Sequence, residues 1–318
     1  MRVFVTGGAG FIGSNLVERL LADGHEVTAH DNLSLGRREF LSGCDGRPGF
    51  RFVEGDLLEA ESLRARLQGH EAVFHLAANS DIEAGGRATD TDLRQGTLAT
   101  YNVLEGMRRA GIKQIVFASS SAVYGEAARI PTPEEHGPLF PISLYGASKL
   151  ACEGLISAFE HASGIRAWIF RFANIVGDHG THGAVVDFIR KLRADPRRLP
   201  ILGDGKQAKP YLYVKECVDG MIYGWARATS GLNCFNLACT GATSARRIAE
   251  IVCEEMRLEG VAFEYSGGSR GWVGDVPQVR LDPAKLAALG WTARLDSDGA
   301  VRQAVRALLA GPAREDGR

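Results

Sequence analysis

The N-terminal stretch Met1-Arg-Val-Phe-Val-Thr-Gly-Gly-Ala-Gly-Phe-Ile-Gly13 decides the fold. Its apolar strand (Arg2–Thr6) runs straight into a glycine turn, and the turn opens a helix expected over Phe11–Ala22. Gly7, Gly10 and Gly13 each have a steric task in such a turn: one permits the sharp bend, one lets the backbone approach a pyrophosphate, one lets the helix pack on the strand. The helix N-terminus adds unpaired N–H groups and the positive end of a dipole. A glycine triplet alone is a weak signal, but between a strand and a helix it points to a bound dinucleotide.

Working outward, strand-like runs follow at Glu26–His30, Phe50–Glu54, Ala72–Leu76, Gln114–Ala118 and Ala167–Phe172. Helical patterns lie between them at Ala60–Leu67, Asp92–Ala110 and Leu144–Ala162. This alternation predicts an α/β fold, a Rossmann-type doubly wound parallel sheet with helices on both faces. After Asn174 the texture changes: Gly177-Asp-His-Gly-Thr-His-Gly183 is followed by helices expected at Val185–Ala194, Ala245–Met256 and Gly299–Ala310. We therefore expect a dinucleotide-binding domain over residues 1–173, with 211–228 returning to it. A smaller α/β lobe over 174–310 would bind substrate, and 311–318 would be a flexible tail.

Composition narrows the function classes. The 318 residues carry 37 Lys plus Arg against 38 Asp plus Glu, so no basic surface for nucleic acid or acidic membrane is expected. The six cysteines form neither a CxxC pair nor a zinc-like group with histidine, and most fall in apolar segments. No metal site is expected, and that cysteine usage suits a reducing cytoplasm. The strand beginning at Arg2 leaves no place for a leader, and no apolar run is long enough to span a bilayer.

Asp31 closes the second strand eighteen positions beyond Gly13. A carboxylate there can accept hydrogen bonds from an adenosine ribose and repels a 2′-phosphate, which favours NAD over NADP. Its alternative task is to cap a turn. Asp56, after the third strand, could bond the adenine amino group or cap the next helix. The small residues after His75 would let backbone lie close to the cofactor. The expected NAD contacts are thus Gly7, Gly10, Phe11, Ile12 and Gly13; Asp31, Asn32, Ser34 and Gly36; Asp56 and Leu57; Leu76, Ala77 and Ala78; and Tyr145 with Lys149.

Tyr145-Gly-Ala-Ser-Lys149 places a phenol and an ammonium on one helical face. A free phenol titrates near 10, too high for a base at neutral pH. The Lys149 ammonium and a positive nicotinamide are expected to lower it, so that Tyr145 takes a proton from a sugar hydroxyl. Lys149 is also expected to hold the nicotinamide ribose. Ser119, Ser120 and Ser121 end the fifth strand, and a hydroxyl there can relay the proton; chemistry alone does not choose among the three.

Together Gly7–Gly13, Ser119–Gly125, Tyr145–Lys149 and Arg171-Phe-Ala-Asn174 resemble the extended short-chain dehydrogenase/reductase family over nearly the whole chain. Gly203-Asp-Gly-Lys-Gln-Ala-Lys-Pro-Tyr-Leu-Tyr-Val214 and Gly268-Ser-Arg-Gly-Trp-Val-Gly-Asp-Val-Pro277 resemble its nucleotide-sugar epimerase branch, particularly UDP-glucose (UDP-galactose) 4-epimerases. The resemblance implies tightly held NAD, reduced and reoxidised within one turnover, and selects Ser120 as the catalytic hydroxyl beside Tyr145 and Lys149. It implies a UDP-sugar held by Asn174, Lys209, Arg270 and Asp275, with Ser80, Ser120, Ser121 and Tyr211 completing the substrate site.

Three departures stand out. Lys209 replaces a customary arginine, turning a bidentate phosphate contact into a point charge. Gly96 replaces an asparagine that many relatives carry near the cofactor. Ser121 and Ala122 stand where the family's 4,6-dehydratases carry Asp-Glu, which removes the acid/base pair for water elimination. The expected activity is inversion at C4 of a nucleotide sugar through a 4-keto intermediate. Its rivals are the same chemistry on UDP-glucuronate, with Ser120, Ser121, Thr181 and the histidines of the 177–183 loop holding the carboxylate, and a non-catalytic NAD-binding regulator. Apolar faces (Leu98, Tyr101 and Leu104; Leu150, Leu155 and Phe159) predict a homodimer, as such helices pair in the family; the alternative is that they cover the sheet.

Overall fold

The computed structural model describes residues 1–80, 87–268, 276 and 278–310. Seven parallel strands form the central sheet: β1 (Arg2–Thr6), β2 (Glu26–Asp31), β3 (Phe50–Glu54), β4 (Ala72–His75), β5 (Gln114–Ser120), β6 (Arg166–Phe172) and, much later in the chain, Leu232–Leu237. Their order across the sheet places Leu232–Leu237 at one edge, then β6, β5, β4, β1, β2 and β3. Val3-Phe-Val5 and Ala72–Phe74 are completely buried, the near-continuous apolar run of strands covered on both faces.

One face is covered by helix α1 (Phe11–Ala22) and by Val214–Arg227, which contribute Leu16, Val17, Leu20, Cys217, Val218 and Met221 to a common core. The other carries α2 (Ala60–Leu67), α3 (Ala99–Ala110) and α4 (Leu144–Ser163), through Leu63, Leu67, Val103, Met107, Cys152 and Ile156. A separate core lies in the lobe, where Ala184–Ala194, Ala245–Met256 and Ser297–Ala310 pack Phe188, Ile189, Ile248, Val252, Val301 and Val305 together.

The doubly wound sheet agrees with the sequence reading, with three amendments. The strand Leu232–Leu237 was not anticipated; it pairs with β6 along its whole length. The helix expected at Asp92–Ala110 is two pieces, a π turn at Leu93–Leu98 followed by α3. Leu104 is fully buried in the core, so the apolar face read for a partner is divided: Leu98 and Tyr101 are exposed, whereas Leu155 and Phe159 pack partly against the same core. The 311–318 tail lies outside the described residues. No helix among the described residues is long and apolar enough to cross a membrane.

Candidate active site

Strand order reverses between β1 and β4, the switch point at which open α/β sheets bind ligands. Both lips of that crevice are shaped by steric necessity. Gly7 has φ +68°, and a Cβ there would lie 2.8 Å from Ala77 N. A Cβ on Gly13 would overlap Gly7 O, so this glycine is what lets α1 start against the turn. Gly10 differs. Its backbone (φ −77°, ψ 176°) suits any residue, and a Cβ would meet only Gly7 O, at 3.1 Å. Among the described residues no packing demands a glycine there, whereas a group lying against the backbone would. As N-cap, Gly10 also brings no side chain to the first-turn N–H groups of Phe11, Ile12 and Gly13. The turn fits a pyrophosphate.

The lip beyond β4 is held from below. Thr6 Oγ1 accepts from Leu76 N (3.2 Å) and Ala77 N (3.3 Å), so its own proton goes to His75 Nδ1 at 2.7 Å. His75 Nε2–H then donates to Thr100 Oγ1 at 2.9 Å. Burial and the nearby Lys149 charge hold this histidine neutral, its pKa depressed to about 3.

At the end of β2, Asp31 is buried. Its Oδ2 accepts from Ala9 N (3.0 Å) and its Oδ1 from Leu33 N (2.9 Å), so it caps its own turn as well as facing the glycine loop. Gly36 lies against it, since a Cβ there would be 2.7 Å from Oδ1. Burial raises the Asp31 pKa against the lowering by these backbone bonds. Asn32 Oδ1 accepts from both Ser34 N (3.1 Å) and Ser34 Oγ (2.7 Å), while Asn32 Nδ2 donates to Asp56 Oδ2 (3.2 Å). Asp56 Oδ1 accepts from Leu58 N (2.8 Å), closing a turn ahead of α2 rather than capping that helix, whose N-cap is Glu59, and Leu57 O accepts from Asn102 Nδ2 (2.9 Å). The loops after β2 and β3 are thereby fastened together beside the crevice.

The three serines at the end of β5 separate cleanly. Ser119 is buried and donates to Glu153 Oε1. Ser121 lines a small cavity with Tyr124, Thr132 and Arg280. Ser120 accepts from Ala122 N (3.2 Å) and is near enough to Tyr145 to lower its pKa. Tyr145 and Lys149 lie in the first turns of α4, N-capped by Ser143. Lys149 is buried, donates to Ala118 O at 2.6 Å and sits 5.7 Å from the Tyr145 ring centroid.

The expected lowering of the Tyr145 pKa does not occur in the protein by itself. Burial, the largest influence, pushes it up to about 12; the Ser120 bond lowers it and the Asp92 charge raises it. Burial in turn lowers Lys149 to about 8. The physical reason is that the ammonium is committed to a backbone carbonyl and is itself desolvated. Tyr145 is a neutral phenol here.

Behind these groups lies a buried network the sequence reading did not use. Arg171 donates from Nε to Glu153 Oε1 (3.0 Å) and from Nη2 to Oε2 (2.7 Å), while Nη1 reaches Tyr124 OH and Glu134 O, each at 3.0 Å. Tyr124 OH donates to Asn236 Oδ1 at 2.7 Å. The signal was available: Tyr145, Lys149 and Glu153 fall at i, i+4 and i+8 of one helix.

The expected substrate residues are only partly gathered. Asn174 starts a short strand (Asn174–Val176) paired with Tyr211–Tyr213, in register with Tyr211. Lys209 is half-buried and pairs with Thr243 in a two-residue ladder. Tyr211 packs against the lobe core, its N–H donating to Ser297 Oγ at 3.0 Å. Ser80 is exposed. Arg270 and Asp275 lie outside the described residues. In the 177–183 loop, His179 shares a hydrogen bond with Ser14 Oγ (2.8 Å) and stacks on Phe40 at 4.5 Å, which places it on α1. His182 Nδ1 bonds Thr181 Oγ1 (3.1 Å). The space at Gly96 is filled by Ser148 Oγ, which a Cβ at Gly96 would overlap.

A glycine turn shaped for a phosphate at the switch point, with a serine, tyrosine and lysine at the carboxyl end of the same sheet, is the layout of a Rossmann-fold enzyme that works with a nicotinamide dinucleotide. Comparison with known proteins narrows the class. Residues 3–238 match the NAD dependent epimerase/dehydratase family, and the chain belongs to that family. It is 35% identical to a UDP-glucose 4-epimerase of Mycolicibacterium smegmatis, over 92% of this chain and 93% of the relative. A crystal structure of a UDP-galactose 4-epimerase superposes with a TM-score of 0.87 at 38% identity, covering 97% of this chain and 99% of that one. The UDP-glucose 4-epimerase of Thermus thermophilus, solved in complex with NAD, superposes with a TM-score of 0.87 at 28% identity, covering 98% of this chain and all (100%) of that one.

Proposed function

We propose that this chain is a nucleotide-sugar 4-epimerase acting on UDP-glucose and UDP-galactose. The observation that carries the reading is the grouping of Ser120, at the end of β5, with Tyr145 and the buried Lys149, whose ammonium lies 5.7 Å from the Tyr145 ring centroid. NAD, when bound, would supply a reversible hydride acceptor. Gly7, Gly10 and the first turn of α1 would hold its pyrophosphate, Asp31 its adenosine ribose and Lys149 its nicotinamide ribose. Ser120 would orient the C4 hydroxyl of the sugar and Tyr145 would take its proton. Because Tyr145 is neutral in the protein alone, it becomes a base only when a nearby positive charge stabilises the phenolate. Once the 4-keto sugar has turned its opposite face toward the hydride carrier, Tyr145 would return the proton to the C4 oxygen, and the configuration at C4 would be inverted. Asn174, Lys209 and Tyr211, with Arg270 and Asp275, would hold the nucleoside diphosphate.

Ser121 and Ala122 offer no carboxyl acid or base after Ser120, which favours epimerisation over dehydration. Engagement of His179 with Ser14 and Phe40 weakens the case for a uronate carboxylate in that loop. The exposed Leu98 and Tyr101 fit a homodimer through α3 and α4. The test is to offer the purified protein UDP-glucose, UDP-N-acetylglucosamine and UDP-glucuronate separately and resolve the products. Inversion of UDP-glucose that disappears in Tyr145→Phe supports the reading, whereas full activity in that variant refutes it.

A further inference from the structure

Ser119 and Glu153 take no part in the chemistry outlined above, yet they are 2% and 7% exposed and bonded to each other. Ser119 Oγ donates to Glu153 Oε1 at 2.5 Å. The same carboxylate receives both arms of the Arg171 fork, at 3.0 and 2.7 Å, a bidentate pairing that leaves its side chain one position. Arg171 lies on β6 in register with Ser119 on β5. One carboxylate therefore joins α4 to two neighbouring strands at paired positions.

The joint stands directly beside the reacting groups. Ser119 is followed by Ser120, where β5 ends and a 3-10 turn over Ser121–Tyr124 begins. Arg171 Nη1 donates to Tyr124 OH (3.0 Å), at the far end of that turn, so the chain is pinned on both sides of Ser120. On α4, Glu153 follows Lys149 by one turn and Tyr145 by two. Lys149 Nζ donates to Ala118 O at 2.6 Å. Two successive positions of β5, 118 and 119, are thus tied to α4 just ahead of Ser120. The placement of Ser120 relative to Tyr145 is set by bonds that neither residue makes.

Stability alone does not call for an ion pair here. Its desolvation roughly cancels its attraction, and an apolar pair of similar volume is often at least as stable. An apolar pair lacks direction, whereas a carboxylate held by a guanidinium fixes the distance and angle at which a hydroxyl docks.

We propose that Ser119 is a positioning residue of this site: its hydrogen bond to Glu153, braced by Arg171, fixes the end of β5 and with it the place of Ser120 relative to Tyr145. The inference rests on Ser120 and Tyr145 as the reacting groups, the reading given under Proposed function. It is tested by steady-state turnover of UDP-galactose by the full-length chain with NAD, beside calorimetric NAD titration and urea unfolding. Ser119→Ala removes one donor and leaves Glu153 both of its bonds from Arg171, so the urea midpoint should move by less than about 0.5 M. In that variant kcat should fall about tenfold, because Ser120 is no longer held in line. KM for UDP-galactose and NAD affinity should stay within about twofold of wild type. In a Ser120→Ala background, adding Ser119→Ala should change kcat less than about twofold, since the group it positions is gone. Wild-type kcat in Ser119→Ala, or an undiminished loss in the Ser120→Ala background, overturns the proposal. An equal fall in kcat and NAD affinity also overturns it, being the mark of general loosening. A wild type that does not turn over UDP-galactose, or a Ser120→Ala variant as active as wild type, overturns the functional reading on which the proposal rests.

Discussion

Two alanine substitutions in the same turn should part company. At Gly13 an added methyl would overlap Gly7 O and come within 2.8 Å of Gly7 C and 3.0 Å of Gly8 Cα. All three atoms are backbone, so the turn between β1 and α1 would have to open, at a cost of about 1–3 kcal/mol for overpacking of this kind. At Gly10 the methyl meets only Gly7 O at 3.1 Å, a contact relieved by a few tenths of an ångström. Replacing glycine by alanine also restricts the unfolded chain, a gain of about 0.4–1 kcal/mol where the backbone permits it. Gly10→Ala should therefore stay within about 1 kcal/mol of wild-type stability. The same methyl would occupy the space proposed for a pyrophosphate, so NAD affinity should fall at least about tenfold, or about 1.4 kcal/mol. Urea unfolding measures the first quantity and a calorimetric NAD titration the second. Wild-type NAD affinity in Gly10→Ala would refute the assignment of the turn, and wild-type stability in Gly13→Ala would refute the steric argument.

Glu153→Leu would strand the buried Arg171 guanidinium and should destabilise the fold by about 3–5 kcal/mol, with the Glu153→Leu/Arg171→Leu double variant recovering part of the loss; urea unfolding of both chains checks this. Acid should also weaken the protein through its buried histidines. His75 and His30 titrate near 6.5 when unfolded but near about 3 and about 4 when folded, mainly because burial disfavours the charge. Folding stability is thus fully present above pH 6.5 and falls as the pH drops toward 3, at up to about 1.4 kcal/mol per pH unit for each histidine. His75→Gln should flatten that slope by about one proton's worth, read from unfolding curves at successive pH values.

Local chemistry made much of this protein legible along the chain. The glycine spacing after an apolar strand, the alternation of strand and helix periods and the i, i+4 pairing of Tyr145 with Lys149 are short-range patterns, and short-range patterns determine elements and their inward faces. Pairing between distant segments carries no such signature. The seventh strand was missed because Leu232–Leu237 finds its partner, β6, across the intervening lobe. Chemistry alone does not choose among the three serines and the family resemblance picks Ser120; the strand's exit geometry is what turns Ser119 away toward Glu153. The sign of the tyrosine's pKa shift was likewise decided by the tertiary structure. A lysine one helical turn away suggests a lowered value, but desolvation depends on everything packed around the phenol, and here burial raises it, with Asp92 and Cys152 acting in the same direction. Asp92, finally, is an ordinary polar residue in the sequence; the π turn and the Ser148 hydroxyl fasten it to the helix that bears Tyr145 and Lys149.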